Sequence, residues 1–217
     1  MINKEKIIEK IAGHIKKEFD GDPSGHDWWH VYRVWKMAKK IQKKEGGDLF
    51  IIELGALLHD IGDWKFNNDE KAGSKKSREL LKKLNVDEPA IKHICDIVDN
   101  VSFKGVNHKN GITTLEGKIV QDADRLDAIG AICIARVFAY GGTVGRAIYD
   151  PKIKPKPNQS SKAYKKNKSS GINHFYEKIL LLKDILNTKT AKKIAIPRHK
   201  FMEAYLKEFF KEWEAEV

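Results

Sequence analysis

Leu49-Phe50-Ile51-Ile52-Glu53-Leu54-Gly55-Ala56-Leu57-Leu58-His59-Asp60-Ile61-Gly62-Asp63 is the stretch that decides how this chain folds. Apolar residues fill almost every position up to Leu58, so a helix here has nearly no polar face and must be central and buried. Asp48 can cap its first turn, and the expected helix runs from Leu49 to about Gly62. An imidazole and a carboxylate stand side by side at its end. Burying an aspartate without a partner is costly. His59 and Asp60 are therefore either a hydrogen-bonded pair closing a helix or two adjacent ligands of one metal ion.

Working outward, the chain reads as helix after helix. Ile7, Ile8, Ile11 and Ile15 give an amphipathic helix from about Lys4 to Phe19, stopped by Asp20-Gly21-Asp22-Pro23. Ser24-Gly25-His26-Asp27 reads as a capping box for a second helix with Val31, Val34, Ala38 and Ile41 inward, ended by Gly46-Gly47. After a polar loop from Trp64 to Ala72, Leu80, Leu81 and Leu84 mark a short helix, and Asp87 and Pro89 open another. Thr113-Thr114-Leu115-Glu116 reads as a second capping box, starting one long helix that runs to about Tyr140 and stops at Gly141-Gly142. Pro151, Pro155 and Pro157 then open a Lys-rich loop, about 150–171, longer than loops without a function usually are. Two last helices are expected over about 173–186 and 190–214, the second broken near Pro197. Neither repeats nor paired strands stand out. The expected fold is all-α, a single-domain helical bundle over 1–217, with its core at about 24–140 and C-terminal helices at about 173–214 packed on it.

Composition narrows the function classes. The 217 residues include 41 Lys+Arg and 30 Asp+Glu, a net charge of +11. That length suits one domain or at most two. Five Trp and nine Phe with long apolar-periodic stretches exclude disorder along the whole chain. Cys95 and Cys133 are the only cysteines, so a disulfide scaffold is excluded and a reducing compartment is expected. No apolar run approaches the roughly 20 residues of a membrane span, and the start of the chain lacks an apolar signal core, so the cytosol is the expected location and no membrane partner is expected. A basic balance points to nucleic acid, an acidic membrane surface or a polyanionic small substrate. Lysine is spread through most segments, which weakens the nucleic-acid reading.

Two further clusters carry chemistry. Gln121-Asp122-Ala123-Asp124-Arg125-Leu126-Asp127 sets three acids in an otherwise apolar helix. Asp122 and Asp124 lie about 200° apart at helical pitch, so they cannot share a face, whereas Asp124 and Asp127 can. The plain reading of any one of them is a surface salt bridge, such as Asp122 with Arg125. His26-Asp27-Trp28-Trp29-His30-Val31-Tyr32-Arg33-Val34 puts His30 at the edge of an apolar stripe, where a packed histidine is the plain reading. Taken together, His30, His59, Asp60 and Asp124 offer two imidazoles and two carboxylates from helices expected to face one core, which is how bundles build metal sites.

This order, His…His-Asp…Asp, resembles the HD-domain superfamily of metal-dependent phosphohydrolases. The flanks extend the resemblance to its YpgQ/YedJ-like branch: the string from His26 to Val34, Ala56 to Lys65, Ser102-Phe103-Lys104-Gly105, Gln121 to Gly130, His174-Phe175-Tyr176-Glu177-Lys178 and Arg198-His199-Lys200-Phe201-Met202. The resemblance implies that His30, His59, Asp60 and Asp124 ligate the metal, with Asp122 as the fallback to Asp124. Some members of the superfamily carry a Glu where this chain has Asp63, which makes Asp63 the candidate catalytic residue, though its side chain is one methylene shorter.

A site of this kind implies one divalent ion, Mn²⁺ favoured over Co²⁺, Ni²⁺, Fe²⁺, Zn²⁺ or Mg²⁺. Lys65, Lys104 and Arg33 are the candidate phosphate contacts, because developing negative charge needs cations aimed at it. His93, His174 and His199 read as packing histidines, and Trp64 is the one Trp placed to stack on a base. The lysines at 152, 154, 156, 162, 165, 166 and 168 fit either a lid over a polyphosphate or a solvated loop. The branch acts on nucleoside triphosphates, so the resemblance favours hydrolysis of an NTP or dNTP to monophosphate and pyrophosphate. The alternatives are a 5′-nucleotidase, a cyclic-nucleotide or (p)ppGpp hydrolase, or a basic nucleic-acid-binding protein with a structural metal.

Overall fold

The computed structural model describes residues 3–21, 27–62, 71–102, 111–157 and 169–216. All regular structure among these residues is helical, and no strand occurs among them. The fold is all-α. No single helix among them is long and apolar enough to cross a membrane. The chain divides into two compact units. The first holds Met1–Asp22, His26–Ser102 and Lys109–Asp124, and the second holds Pro23–Gly25, Phe103–His108 and Arg125–Val217.

The first unit is built round the apolar stretch. Helices α1 (Lys4–Glu18) and α2 (Trp28–Glu45) both pack on α3 (Leu49–Leu58). Every residue of α3 from Phe50 to Leu58 is buried, and Asp48 caps it by accepting from the Phe50 and Ile51 N–H groups. Glu53 is the polar exception inside this helix. It accepts from Trp35 Nε1 at 2.9 Å and pairs with Lys39 Nζ at 2.7 Å, which satisfies its buried carboxylate. Helices α4 (Ala72–Lys83) and α5 (Glu88–Asn100) form a packed pair, and α5 lies on α3. Asp87 caps α5, as its place before Pro89 led us to expect.

Local capping differs from expectation in two places. The side chain of Asp27 itself caps α2, accepting from the His30 N–H at 2.9 Å, while Ser24 lies outside the described residues. Thr114 caps α6 (Leu115–Asp127) by accepting from the Gly117 N–H at 3.2 Å. Glu116 does not reach back to this cap but accepts from the Asp48 N–H at 2.9 Å, tying the starts of α3 and α6 together.

The long helix expected to end at Tyr140 is two helices. α6 stops at Asp127, and α7 (Ala131–Thr143) starts after Gly130, whose φ of +95° only glycine adopts freely. Gly141 and Gly142 lie inside α7 and do not stop it. The second unit continues with α8 (Gly171–Glu177), a 3₁₀ stretch (Ile179–Ile185) and α9 (Lys189–Trp213), where one helix had been expected over 173–186. α9 runs unbroken through Pro197. The Pro-rich segment is pinned at its start: Lys156 N–H donates to Glu177 Oε1 at 3.0 Å, and Asn173 Nδ2 donates to the Ile153 carbonyl at 2.6 Å. Its lysines at 162, 165, 166 and 168 lie outside the described residues.

Candidate metal centre

Three segments of the first unit meet at one point. The Asp27 cap starts α2 so that His30 falls in its first turn with the ring turned inward, its side chain 1% exposed. α3 ends at Leu58, earlier than expected, and His59-Asp60-Ile61-Gly62 forms a turn rather than continuing the helix. The Ile61 N–H donates to the Leu58 carbonyl at 3.1 Å, and Gly62 leaves the turn at φ +66°. The turn aims His59 and Asp60 at the same point, and α6 brings Asp124.

The geometry is tight. His30 Nε2 and His59 Nε2 are 3.2 Å apart. Asp60 Oδ2 lies 3.3 Å from His30 Nε2 and 3.5 Å from His59 Nε2. Asp124 Oδ1 lies 3.6 and 3.9 Å from the same two nitrogens. The ligand atoms of His30, His59 and Asp60 all fall within 4.8 Å of one another and can hold a metal ion. His59 Nδ1 sits 2.8 Å from the Ala56 carbonyl oxygen. A carbonyl only accepts, so Nδ1 carries the proton and Nε2 offers its lone pair to the centre. Two imidazoles and two carboxylates give a mixed set of N and O donors, which suits a divalent transition ion. The residues present fit such an ion. The imidazoles form the closed side of the site, while Asp60 and Asp124 are 13% and 26% exposed.

The neighbouring acids sort differently from the plain reading. Asp122 is fully buried rather than on a wet face, and Arg125, itself buried, donates to the Ile185 carbonyl. Asp127 is buried and accepts from Arg136 Nη1 at 2.9 Å. Arg33 is half-buried on α2, one turn after His30. Asp63, Trp64, Lys65 and Lys104 lie outside the described residues. Each of the three histidines expected to pack, His93, His174 and His199, is at least half-buried. His93 Nε2 lies 3.0 Å from Thr114 Oγ1, and His199 Nε2 lies 3.3 Å from Glu203 Oε1. Burial, with Lys178 and Arg146 nearby, pushes His174 down to about 3. The residues that the sequence reading missed are the supports: the Ala56 carbonyl, and Gln121, whose Nε2 reaches the Asn100 and Val101 carbonyls at 3.4 Å. Only the Gln121-Asp122 pairing inside an apolar helix hinted at the second.

A family model for the HD domain matches residues 28–129, a span that holds all four converging side chains. YpgQ of Bacillus subtilis (strain 168) is 35% identical over 209 residues, covering 95% of this chain and 94% of YpgQ. The chain belongs to the HD-domain superfamily of metal-dependent phosphohydrolases, in its YpgQ-like branch. Solved structures agree along nearly the whole length. An HD-superfamily hydrolase from Bacillus thuringiensis is 46% identical with a TM-score of 0.77, covering 98% of this chain and 100% of that one. A protein of Lactobacillus plantarum is 37% identical with a TM-score of 0.88, covering 99% and 100%. Bacillus subtilis YpgQ, solved in complex with ADP, is 33% identical with a TM-score of 0.75, covering 94% and 97%.

Proposed function

We propose that this HD-domain hydrolase cleaves nucleoside or deoxynucleoside triphosphates to the monophosphate and pyrophosphate. In this reading one divalent ion, Mn²⁺ by preference, is held by His30, His59, Asp60 and Asp124. The observation that carries it is the convergence of four neutral or anionic donors, with His30 and His59 Nε2 3.2 Å apart and both carboxylates beside them. The ADP complex of YpgQ supports a nucleotide ligand for this chain too. A divalent ion bound here supplies a polarised phosphoryl oxygen and a water of lowered pKa.

The chain's own groups do the rest. The Ala56 carbonyl holds His59 in the tautomer that points a lone pair at the centre. Asp63 follows Asp60 by three residues and orients or deprotonates the attacking water. The water oxygen bonds to the α-phosphorus, the bond from that phosphorus to the bridging oxygen breaks, and pyrophosphate leaves. Lys65, Lys104 and Arg33 are the candidate phosphate contacts in this reading, and the Lys-rich segment after Pro151 favours a polyphosphate over a monophosphate. Cys95 and Cys133 are free, buried thiols, in keeping with a cytoplasmic setting.

The test is a substrate panel. Metal-stripped protein, reloaded with Mn²⁺, Co²⁺, Ni²⁺ or Mg²⁺, is offered NTPs, dNTPs, nucleoside monophosphates, cyclic nucleotides and (p)ppGpp, with Asp60→Ala as blank. Triphosphate turnover to monophosphate and pyrophosphate supports the reading. Turnover confined to monophosphates, cyclic nucleotides or (p)ppGpp replaces it with another HD-superfamily reaction. No turnover, together with salt-dependent nucleic-acid binding, moves the binding-protein alternative ahead.

A further inference from the structure

The turn that presents His59 and Asp60 rests directly on a glycine. A Cβ placed on Gly73, near the start of α4, would meet the Ile61 carbonyl oxygen at 2.6 Å and Val98 Cγ1 at 3.1 Å. On the other side of the contact, a Cβ on Gly62 would lie 3.1 Å from Gly73 N and 3.2 Å from the Ala72 carbonyl carbon. Backbone thus presses on backbone, Ala72-Gly73 against Ile61-Gly62, with no side chain between them. The α4 side of this contact is anchored. The Cys95 thiol on α5 donates to the Ser74 carbonyl at 3.3 Å, and Ser74 Oγ donates to the Lys71 carbonyl at 3.2 Å. Ordinary contact begins at 3.4 Å, so a methyl on Gly73 forces a displacement of about 0.8 Å between α4 and the turn. α4 is packed along α5. The four-residue turn is the weaker party and yields, and Asp60 is bonded directly to Ile61. Metal–ligand distances tolerate only about 0.2 Å.

We propose that Gly73 is a positioning residue for the metal centre: its missing side chain lets α4 buttress the Ile61 carbonyl and so sets where His59 and Asp60 point. The inference rests on the metal-holding role proposed above for those two residues.

The test is Mn²⁺ titration of metal-free protein, read by the electron paramagnetic resonance signal of free Mn²⁺, with circular dichroism as the check on folding. Gly73→Ala is expected to stay helical and to bind Mn²⁺ at least about tenfold more weakly, the scale of lost support around a metal ligand. Adding Val98→Ala removes the side-chain clash but leaves the Ile61 carbonyl clash, so affinity is expected to stay low. Gly55→Ala, whose new Cβ meets only side chains of Val120 and Ile97 at 3.3 Å or more, is expected to keep wild-type affinity. If Gly73→Ala loses the helical signal, Gly62→Asn probes the same contact from the turn, since Asn tolerates positive φ. Its affinity is expected to fall by a similar factor. Affinity within twofold of wild type for the folded glycine variant, or recovery on adding Val98→Ala, overturns the proposal. Failure of the wild type itself to bind Mn²⁺ or any other divalent ion instead overturns the metal reading of the site.

Discussion

His30 and His59, on α2 and just past the end of α3, bring their Nε2 atoms to within 3.2 Å of each other, with ring centroids 5.2 Å apart and planes crossed at 67°. Each arrives by a local device. The Asp27 cap sets the first turn of α2, and the turn after Leu58 carries His59 with its Nδ1 proton on the Ala56 carbonyl. Both rings are 1% exposed, so their Nε2 edges meet away from bulk water, beside two carboxylates.

Removing one donor should cost the ion before it costs the fold. We expect Asp60→Ala to keep its helical signal but to retain less than about a tenth of the wild-type metal affinity, with hydrolysis lost. Metal analysis after gel filtration, alongside circular dichroism, checks this. Full metal content with normal turnover would mean that the site lies elsewhere.

The two acids of Asp122-Ala123-Asp124 should separate cleanly. Asp124 faces the imidazoles and is 26% exposed, while Asp122 is fully buried and already engaged. Asp124→Ala is expected to lose metal with little change in stability. Asp122→Ala should keep most of its metal and lose about 1–3 kcal/mol, the usual cost of leaving buried partners unsatisfied. Paired urea melts and metal titrations give the ranking, and the reverse ranking would move the ligand role to Asp122.

Asp63 is proposed to act on water rather than on the ion. Asp63→Ala should therefore bind Mn²⁺ within about threefold of wild type, while kcat falls about 100-fold, the scale of general acid–base help. Loss of metal in this variant would make Asp63 a ligand instead.

The second unit carries a built-in acid sensitivity at His174. Burial, then Lys178 and Arg146, hold its pKa at about 3 in the folded chain. An unfolded histidine titrates near 6.5. Between those values the unfolded chain binds a proton that the folded chain refuses, so stability falls as pH drops through this window, by up to about 1.4 kcal/mol per pH unit. His174→Gln removes the difference. Its urea midpoint should fall less steeply than that of wild type between pH 6.5 and 4.5. Parallel curves would show that His174 does not contribute.

Much of this was legible in the residues because it depends on local physics. The apolar run from Leu49 to Leu58, the Asp48 cap and the isoleucine stripe of α1 each fix an element by burial or capping alone. The four converging side chains were legible for a different reason: singly each reads as a cap, a salt bridge or a packed histidine, and only their order, His…His-Asp…Asp, with its resemblance to the HD-domain superfamily, picks them out together. What escaped was set by close approach. Gly130 breaks the 115–143 region through a positive φ, which periodicity does not register. Pro197 sits inside α9 without breaking it. The Gly73–Ile61 contact joins residues whose separation in the chain carries no pattern, and Asp122 is buried by tertiary packing that the sequence of one helix does not reveal.

The most direct test of the central claim is hydrolysis of a nucleoside triphosphate in ¹⁸O-water by the Mn²⁺-loaded protein, with both products analysed by mass spectrometry. Attack at the α-phosphorus puts one ¹⁸O in the monophosphate and none in the pyrophosphate, and Asp60→Ala is expected to give no product. Label in the pyrophosphate, or equal turnover by Asp60→Ala, would contradict the central claim.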